Sequence, residues 1–408
     1  MEDLATRIPT EEELERFFAT GEATFGGQLR ADDLPRWKAI FDRDRLLWAL
    51  DGESPVATAA ALSFRFTVPG GEVPAAGVTW VGVLPSHRRR GILTRLMREQ
   101  LDDVRERGEP IAVLWASEPP IYGRFGYGLA SQAVRLDADR DRAVFRLPAE
   151  PVGEARLVPL DRARELVADV YDRIRRENAG MFARSEAWWT QFRLADPERE
   201  RHGGGPLFCA VIEVDGAPEG YALYRHDDSW EAGIPKTKLN VREAIATSPA
   251  TTRDLWRFLF GVDLIERVVA SNLPIDHPLQ LMVADPRRLR LGLSDALWVR
   301  FIDLEAALTA RSYAAHDSLV LDVQDAFCGW SAGVWQLEVS SEGAQVTKAS
   351  READLRLDTA DLASTYLGGF SFAQLERAGR LEVVRPGAVE RADALFRTPR
   401  APWCPEVF

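Results

Sequence analysis

Trp80-Val81-Gly82-Val83-Leu84-Pro85-Ser86-His87-Arg88-Arg89-Arg90-Gly91-Ile92-Leu93-Thr94 leads an apolar strand into an arginine-rich turn closed by glycine. From that turn Ile92, Leu93, Leu96, Met97, Leu101 and Val104 recur at helical spacing, which predicts a helix over about 89–107 with one buried stripe. Residues 111–116, Ile-Ala-Val-Leu-Trp-Ala, are too apolar for a surface strand. They are expected to run parallel to the strand before the turn, with the helix as the crossover. This order brings unpaired helix N-terminal N–H groups and several guanidinium groups to the mouth of a sheet. A turn so built can hold a diphosphate. Directly after the second strand comes Ser117-Glu118-Pro119-Pro120-Ile121-Tyr122-Gly123-Arg124-Phe125-Gly126-Tyr127-Gly128.

On the N-terminal side, Thr10 and Glu13 form a capping-box pattern ahead of Leu14, Phe17 and Phe18, so a helix is expected at about 10–20. A second helix starts near Asp33, with Pro35 in its first turn and Trp37 on it. Residues 45–51, 55–67 and 72–84 read as a three-strand meander broken at Asp51-Gly52 and Pro69-Gly70-Gly71. From about 151 the pattern begins again. Helices are expected at 160–177 and 185–193, strands at 207–214, 220–224 and 238–246, and a helix after Pro249. The repeated order suggests an internal duplication. The second copy has Ser248-Pro249-Ala250-Thr251-Thr252 where the first has its arginines and glycine, so it should hold no diphosphate. Residues 294–312 read as a helical link. A third, α+β unit follows, with strands at 318–325, 333–340, 353–358 and 381–384 and helices near 359–368, 371–379 and 387–396. The expected organisation is α+β (mixed α/β), with domains at 1–150, 151–293 and 294–408.

A chain of 408 residues is long enough for two or three cores, and 46% hydrophobic residues mark it as globular. A net charge of −12 argues against a duplex nucleic-acid binder and suits a cationic or neutral partner. The three cysteines, Cys209, Cys328 and Cys404, are odd in number and far apart, so neither a disulfide framework nor a metal site is expected. The acidic start, residues 1–3, does not read as a signal peptide, and no uncharged stretch reaches the ~18 residues of a membrane span. A cytoplasmic protein is expected. The tail, Pro402-Trp403-Cys404-Pro405-Glu406-Val407-Phe408, is apolar to its end and should dock rather than fray.

The Arg88-x-x-Gly91 turn, set between an apolar strand and a helix, resembles the pyrophosphate loop of the GNAT acetyltransferases. Over 85–93 and 117–128 the chain is similar to one branch of them, the enhanced intracellular survival (Eis) acetyltransferases. The likeness extends to Gly220-Tyr221-Ala222-Leu223-Tyr224-Arg225, to Tyr366-Leu367-Gly368-Gly369 and to the aromatic last residue. The resemblance implies an active N-terminal GNAT domain, a degenerate central one and a C-terminal domain like sterol carrier proteins, assembled as a homohexamer. It implies acetyl-CoA as donor, no metal, and a cationic amine as acceptor: an aminoglycoside, a polyamine or a lysine side chain. Carried onto this sequence, Val81, Gly82 and Val83 would meet the pantetheine arm. Arg88, Arg89, Arg90, Gly91, Ile92, Leu93 and Thr94 would surround the diphosphate, and Ser117 and Glu118 would flank the cleft. Trp37 and Trp80 would line the acceptor pocket. Family members often carry an acid just before the final aromatic residue; here that place holds Val407, and Glu406 is the acid expected to contact the acceptor.

Acyl transfer to an amine needs a neutral amine, a stabilised oxyanion and a proton for the leaving thiolate. The resemblance gives the proton donor as Tyr122 and the base as the α-carboxylate of Phe408. Tyr127 competes with Tyr122 but reads as structural. His87, beside three arginines, reads as a charge-repelled surface imidazole. Trp37 and Trp80 could equally be core, and Cys404 has no histidine to make it a nucleophile. The rival reading is a lipid-binding or scaffold protein that keeps an idle GNAT fold.

Overall fold

The computed structural model describes residues 4–408, so the acidic start at 1–3 lies outside the described residues. The chain divides into two compact units. The first comprises residues up to 131, 297–399 and 407–408, and the second comprises 132–296 and 400–406.

In the first unit the expected meander forms as β2 (Leu46–Asp51), β3 (Ser54–Val68) and β4 (Gly71–Val83), with β1 (Leu4–Arg7) along its outer edge. Gly52 and Gly70 take φ of +59° and +83° in the two tight turns, where a side chain would be strained. Helices α1 (Leu14–Thr24) and α2 (Asp33–Lys38) precede β2. Helix α3 (Ile92–Glu106) crosses from β4 to the parallel strand β5 (Ile111–Trp115), burying Ile92, Leu96, Met97, Leu101 and Val104 against the sheet. It starts three residues later than its spacing predicts. Arg89 and Gly91 are both left-handed, with φ of +65° and +80°, and helix cannot begin until they are passed.

The sheet closes with β6 (Gly128–Leu129) and, between β5 and β6, an antiparallel strand at Leu297–Phe301. The segment 294–312 is therefore not a helical link. Leu297, Val299 and Phe301 alternate with Trp298 and Arg300 at the period of a strand, and the helix waits for Asp303, which caps Leu304–Ala310 by accepting from the Ala306 N–H at 2.9 Å. A five-stranded sheet follows in the same unit. It has one strand more than expected, Gly343–Lys348, a short half-exposed hairpin partner of Gly333–Ser340. Helix Thr359–Tyr366 is buried at every residue, because it packs on β6 and Leu297–Phe301 on one side and on the C-terminal sheet on the other.

The second unit repeats the layout of the first. Helix Leu160–Glu177 precedes three antiparallel strands, Phe208–Val214, Ala217–Asp227 and Thr237–Ala246. Helix Pro249–Gly261 then crosses to the parallel strand Ile265–Pro274. The duplication extends to an irregularity, a register shift in the second hairpin of each unit, between Thr58 and Ala60 and between Leu223 and Tyr224. The strand Gln132–Asp139, expected within 1–150, pairs instead with Ile265–Pro274 and belongs to this second sheet. No helix among the described residues is long and apolar enough to cross a membrane.

Candidate active site

Strands β4 and β5 pair only at Ala75–Ile111, Ala76–Ala112 and Gly77–Val113. Beyond Gly77, β4 runs on to Val83 with no β5 partner, so its outer edge borders a widening gap, where the Val83 carbonyl accepts from Arg88 Nε at 3.3 Å. A cavity of about 820 Å³ fills that gap. Its walls are Val81–Val83, the turn around Arg88, Arg89 and Gly91 with the first residues of α3, the segment Ser117–Arg124, and the end of α1.

The α1 wall stands close because two glycines allow it. A Cβ on Gly82 would fall 2.0 Å from Thr24 Oγ1, and one on Gly21 would fall 2.3 Å from the Trp80 ring. Gly82→Val should therefore cost about 1–3 kcal/mol of stability by forcing helix and strand apart. A urea unfolding midpoint unchanged from the parent would contradict this close packing.

At the turn, the Arg95 N–H bonds back to the Gly91 carbonyl at 3.1 Å, so the N–H groups of Ile92, Leu93 and Thr94 have no carbonyl one turn earlier to accept them. Left-handed Arg89 and Gly91 aim further backbone N–H groups the same way, and the arginines add charge. Arg88, Arg89 and Arg90 are all exposed; the first two line the cavity and Arg90 lies beside them outside its lining. Leu93, Thr94, Ser117 and Glu118 also line the cavity. His87 also lines the cavity. Its ring lies between Ser86 Oγ at 2.9 Å and Asp51 Oδ2 at 3.2 Å, so it is a partnered side chain rather than an isolated surface imidazole.

Tyr122 ends the short helix Pro119–Tyr122 and reaches the cavity with only 6% of its surface exposed. Burial raises its phenol above the ordinary value of 10.0; a hydrogen bond with the Ser117 side chain pulls it back, and Glu118 adds to the rise. Tyr127 meets it edge to face with centroids 6.0 Å apart, but is fully buried and away from the cavity, as its structural reading expects.

The aromatic pair Trp37 and Trp80 stands beside the cavity rather than in its lining. Their centroids are 4.4 Å apart, and Phe18 and Phe41 complete the cluster. Trp80 sits at the register shift of β4 with φ +54°, its carbonyl accepting from Thr58 Oγ1 at 2.8 Å. The sequence reading missed the wall Ala23-Thr24-Phe25-Gly26 and Arg124. Phe25, 57% exposed next to the Gly26-Gly27 helix end, was the available clue.

Residues 5–130 and 180–300 each match an acetyltransferase (GNAT) domain family, and 304–405 match a sterol carrier protein domain family. An uncharacterized N-acetyltransferase of Streptomyces avermitilis is 41% identical over 98% of this chain and 99% of its own length. The N-acetyltransferase Eis of Mycobacterium tuberculosis is 33% identical over 95% of both chains. The crystal structure of Eis1 from Mycobacterium abscessus superposes with a TM-score of 0.86 at 34% identity, covering 99% of this chain and 100% of that one. The chain belongs to the Eis family of GNAT N-acetyltransferases.

In this Eis-family acetyltransferase the tail has two destinations. In the first unit, the Phe408 ring meets Phe64 edge to face at 4.9 Å. Phe64 in turn lies over Gly77, where a Cβ would fall 2.1 Å from its ring. Gly77 is the last residue of β4 to pair with β5, so Phe408 is one ring away from where the strands part. In the second unit, Glu406 is buried, its carboxylate accepting from Arg184 Nε and Arg193 Nη2. Arg184 also pairs with Glu243 at 2.5 Å and lies over the Tyr171 and Trp189 rings. Burial alone would raise the Glu406 carboxyl, but Arg184 and Arg193 hold it below its ordinary value. With both oxygens so engaged, Glu406 is an anchor of the tail and not the acceptor contact that the sequence suggested.

The second unit also explains why only one copy keeps an open cleft. There the parallel strands pair as far as Val241–Ala270 and then part. Trp403 occupies the parting: its backbone N–H donates to the Ala179 carbonyl at 2.8 Å and its Nε1 to the Asn272 carbonyl at 2.5 Å. A cavity of about 270 Å³ is left. The equivalent helix begins at a plain serine cap, Ser248 Oγ accepting from the Thr251 N–H at 3.1 Å, with neither glycine nor arginine. Cys404 is buried, its Sγ within 3.3 Å of the Glu406 carbonyl. No metal-holding group of three or more His, Cys, Asp or Glu side chains occurs among the described residues.

Proposed function

We propose that the protein moves an acetyl group from acetyl-CoA directly to an amine of a cationic acceptor, aminoglycoside, polyamine or lysine side chain, within a ternary complex. One observation carries this reading: a single cavity has the edge of β4 past its last β5 pair, an arginine-glycine turn at a helix N-terminus, and the Tyr122 phenol on its walls.

Each wall has a task. The stretch Val81, Gly82 and Val83, past the last β5 pair, would meet the pantetheine arm along its backbone as an added strand does. Arg88, Arg89 and the N–H groups of Gly91 to Thr94 would carry the diphosphate. Ser117 and Glu118 would flank the cleft. The Phe408 carboxylate would take a proton from the acceptor ammonium, the neutral amine would attack the thioester carbonyl, and Tyr122 would give its proton to the departing thiolate. An α-carboxylate of pKa about 3.5 is a weak base in water, and a cationic acceptor would pair with it first. Trp37 and Trp80 would back the acceptor side.

Purified protein should acetylate at least one member of a panel of aminoglycosides, polyamines and lysine peptides, with intersecting double-reciprocal lines. Absence of transfer to every member, or parallel lines from a covalent acetyl-enzyme, would sink the proposal. A chain lengthened by two residues beyond Phe408 replaces the carboxylate by an amide and should lose activity on the order of 10²-fold. A homohexamer is part of the same reading. Leu291 and Leu293 are exposed on and beside Gly292–Asp295, the outermost strand of the second sheet, and Leu281 is exposed as well.

A further inference from the structure

The loop that carries Tyr122 is backed by residues from far along the chain. A Cβ on Gly126, at φ +81°, would fall 1.8 Å from Arg300 Nη1, and one on Gly128 would fall 1.8 Å from the Ala360 carbonyl oxygen. Arg300 is fully buried and donates from Nη2 to Asp325 Oδ2 at 2.7 Å. Phe125, three residues after Tyr122, meets Phe327 edge to face at 4.9 Å. Phe327 is itself fixed, because the Arg98 guanidinium of α3 lies 4.2 Å over its ring and donates to its carbonyl. Asp325, Phe327 and Ala360 all belong to the region that matches sterol carrier proteins.

The geometry points to Phe327 and Asp325 as positioning residues: the sterol-carrier domain acts in catalysis by fixing the Tyr122 loop. Phe327 supports it through Phe125, and Asp325 supports it through Arg300 under Gly126. The Tyr122 carbonyl accepts from the Tyr127 N–H at 3.3 Å, inside the backed segment. A shift of the loop therefore moves the phenol. Displacing a reacting group by about 1 Å can cost up to about 10² in rate without touching binding. This inference rests on Tyr122 being the proton donor.

A double-mutant cycle on the full-length enzyme tests it. Phe327→Ala should lower kcat on the order of tenfold with KM for acetyl-CoA within about twofold, and Phe327→Leu should restore most of the loss. In a Tyr122→Phe background Phe327→Ala should add no further loss, since the group it positions is gone. Phe327 is only partly buried, so its truncation leaves the core intact; Asp325→Asn, which keeps shape and loses the charge holding Arg300, should repeat the pattern. Unchanged kcat in both Phe327→Ala and Asp325→Asn, or the same tenfold loss in both backgrounds, would overturn the positioning role alone. Full activity of Tyr122→Phe would overturn the proton-donor reading, and the positioning role with it.

Discussion

Tyr122→Phe should lower kcat by about 10²–10³ and leave KM for acetyl-CoA within about twofold, because the substitution removes a proton donor and keeps the ring. The phenol is raised above its ordinary value by burial, so it keeps its proton at every working pH. Delivering that proton to a thiolate whose thiol has a pKa of about 8.5 is uphill, which suits a transfer completed only as the carbon–sulfur bond breaks. The rate should then show no loss of its acid below pH 10. A basic limb with an apparent pKa under about 9 that survives in Tyr122→Phe would assign the proton to another group.

Glu406→Ala should destabilise the second unit by about 3–5 kcal/mol, a cost typical of breaking a buried ion pair from one side. Arg184 would keep Glu243, but Arg193 would lose its hydrogen-bonded carboxylate in a place that water does not reach. The carboxyl is held below its ordinary value in the folded protein, so its contribution is complete above the unfolded value of about 4.5 and is lost as pH falls through the folded one. Urea unfolding at pH 7 and pH 4 reads both effects. An unchanged midpoint at pH 7 would show that the cluster contributes nothing net.

The meander, α3, β5 and the duplication were legible because each rests on local periodicity: Leu96, Met97, Leu101 and Val104 at helical spacing, or alternation between turns at Asp51-Gly52 and Asp215-Gly216. The strand Leu297–Phe301 was not, since its partners are about 185 residues earlier and nothing beside it announces a sheet. The same holds for Gln132–Asp139, whose alternation fits either unit until its partner is known. Within the site, the turn and the tyrosine were readable as contiguous motifs. The fate of Glu406 was not, because Arg184 and Arg193 are drawn to it only by folding and carry no local mark. Arg90 looked equal to its neighbours, and nothing local marks it as the arginine outside the cavity lining.

The first sheet receives its sixth strand, Leu297–Phe301, only after residues 132–296 of the second unit have been made, and the second unit receives Trp403 and Glu406 about 100 residues later still. During synthesis the first sheet stays open on one side until Leu297–Phe301 has been made, and the second unit stays open until residues 400–406 have been made. β5 must wait with one edge bare, and the cleft of the second unit must wait with its Arg184 and Arg193 unneutralised. A nascent chain stalled before residue 400 should thus be a client for chaperones.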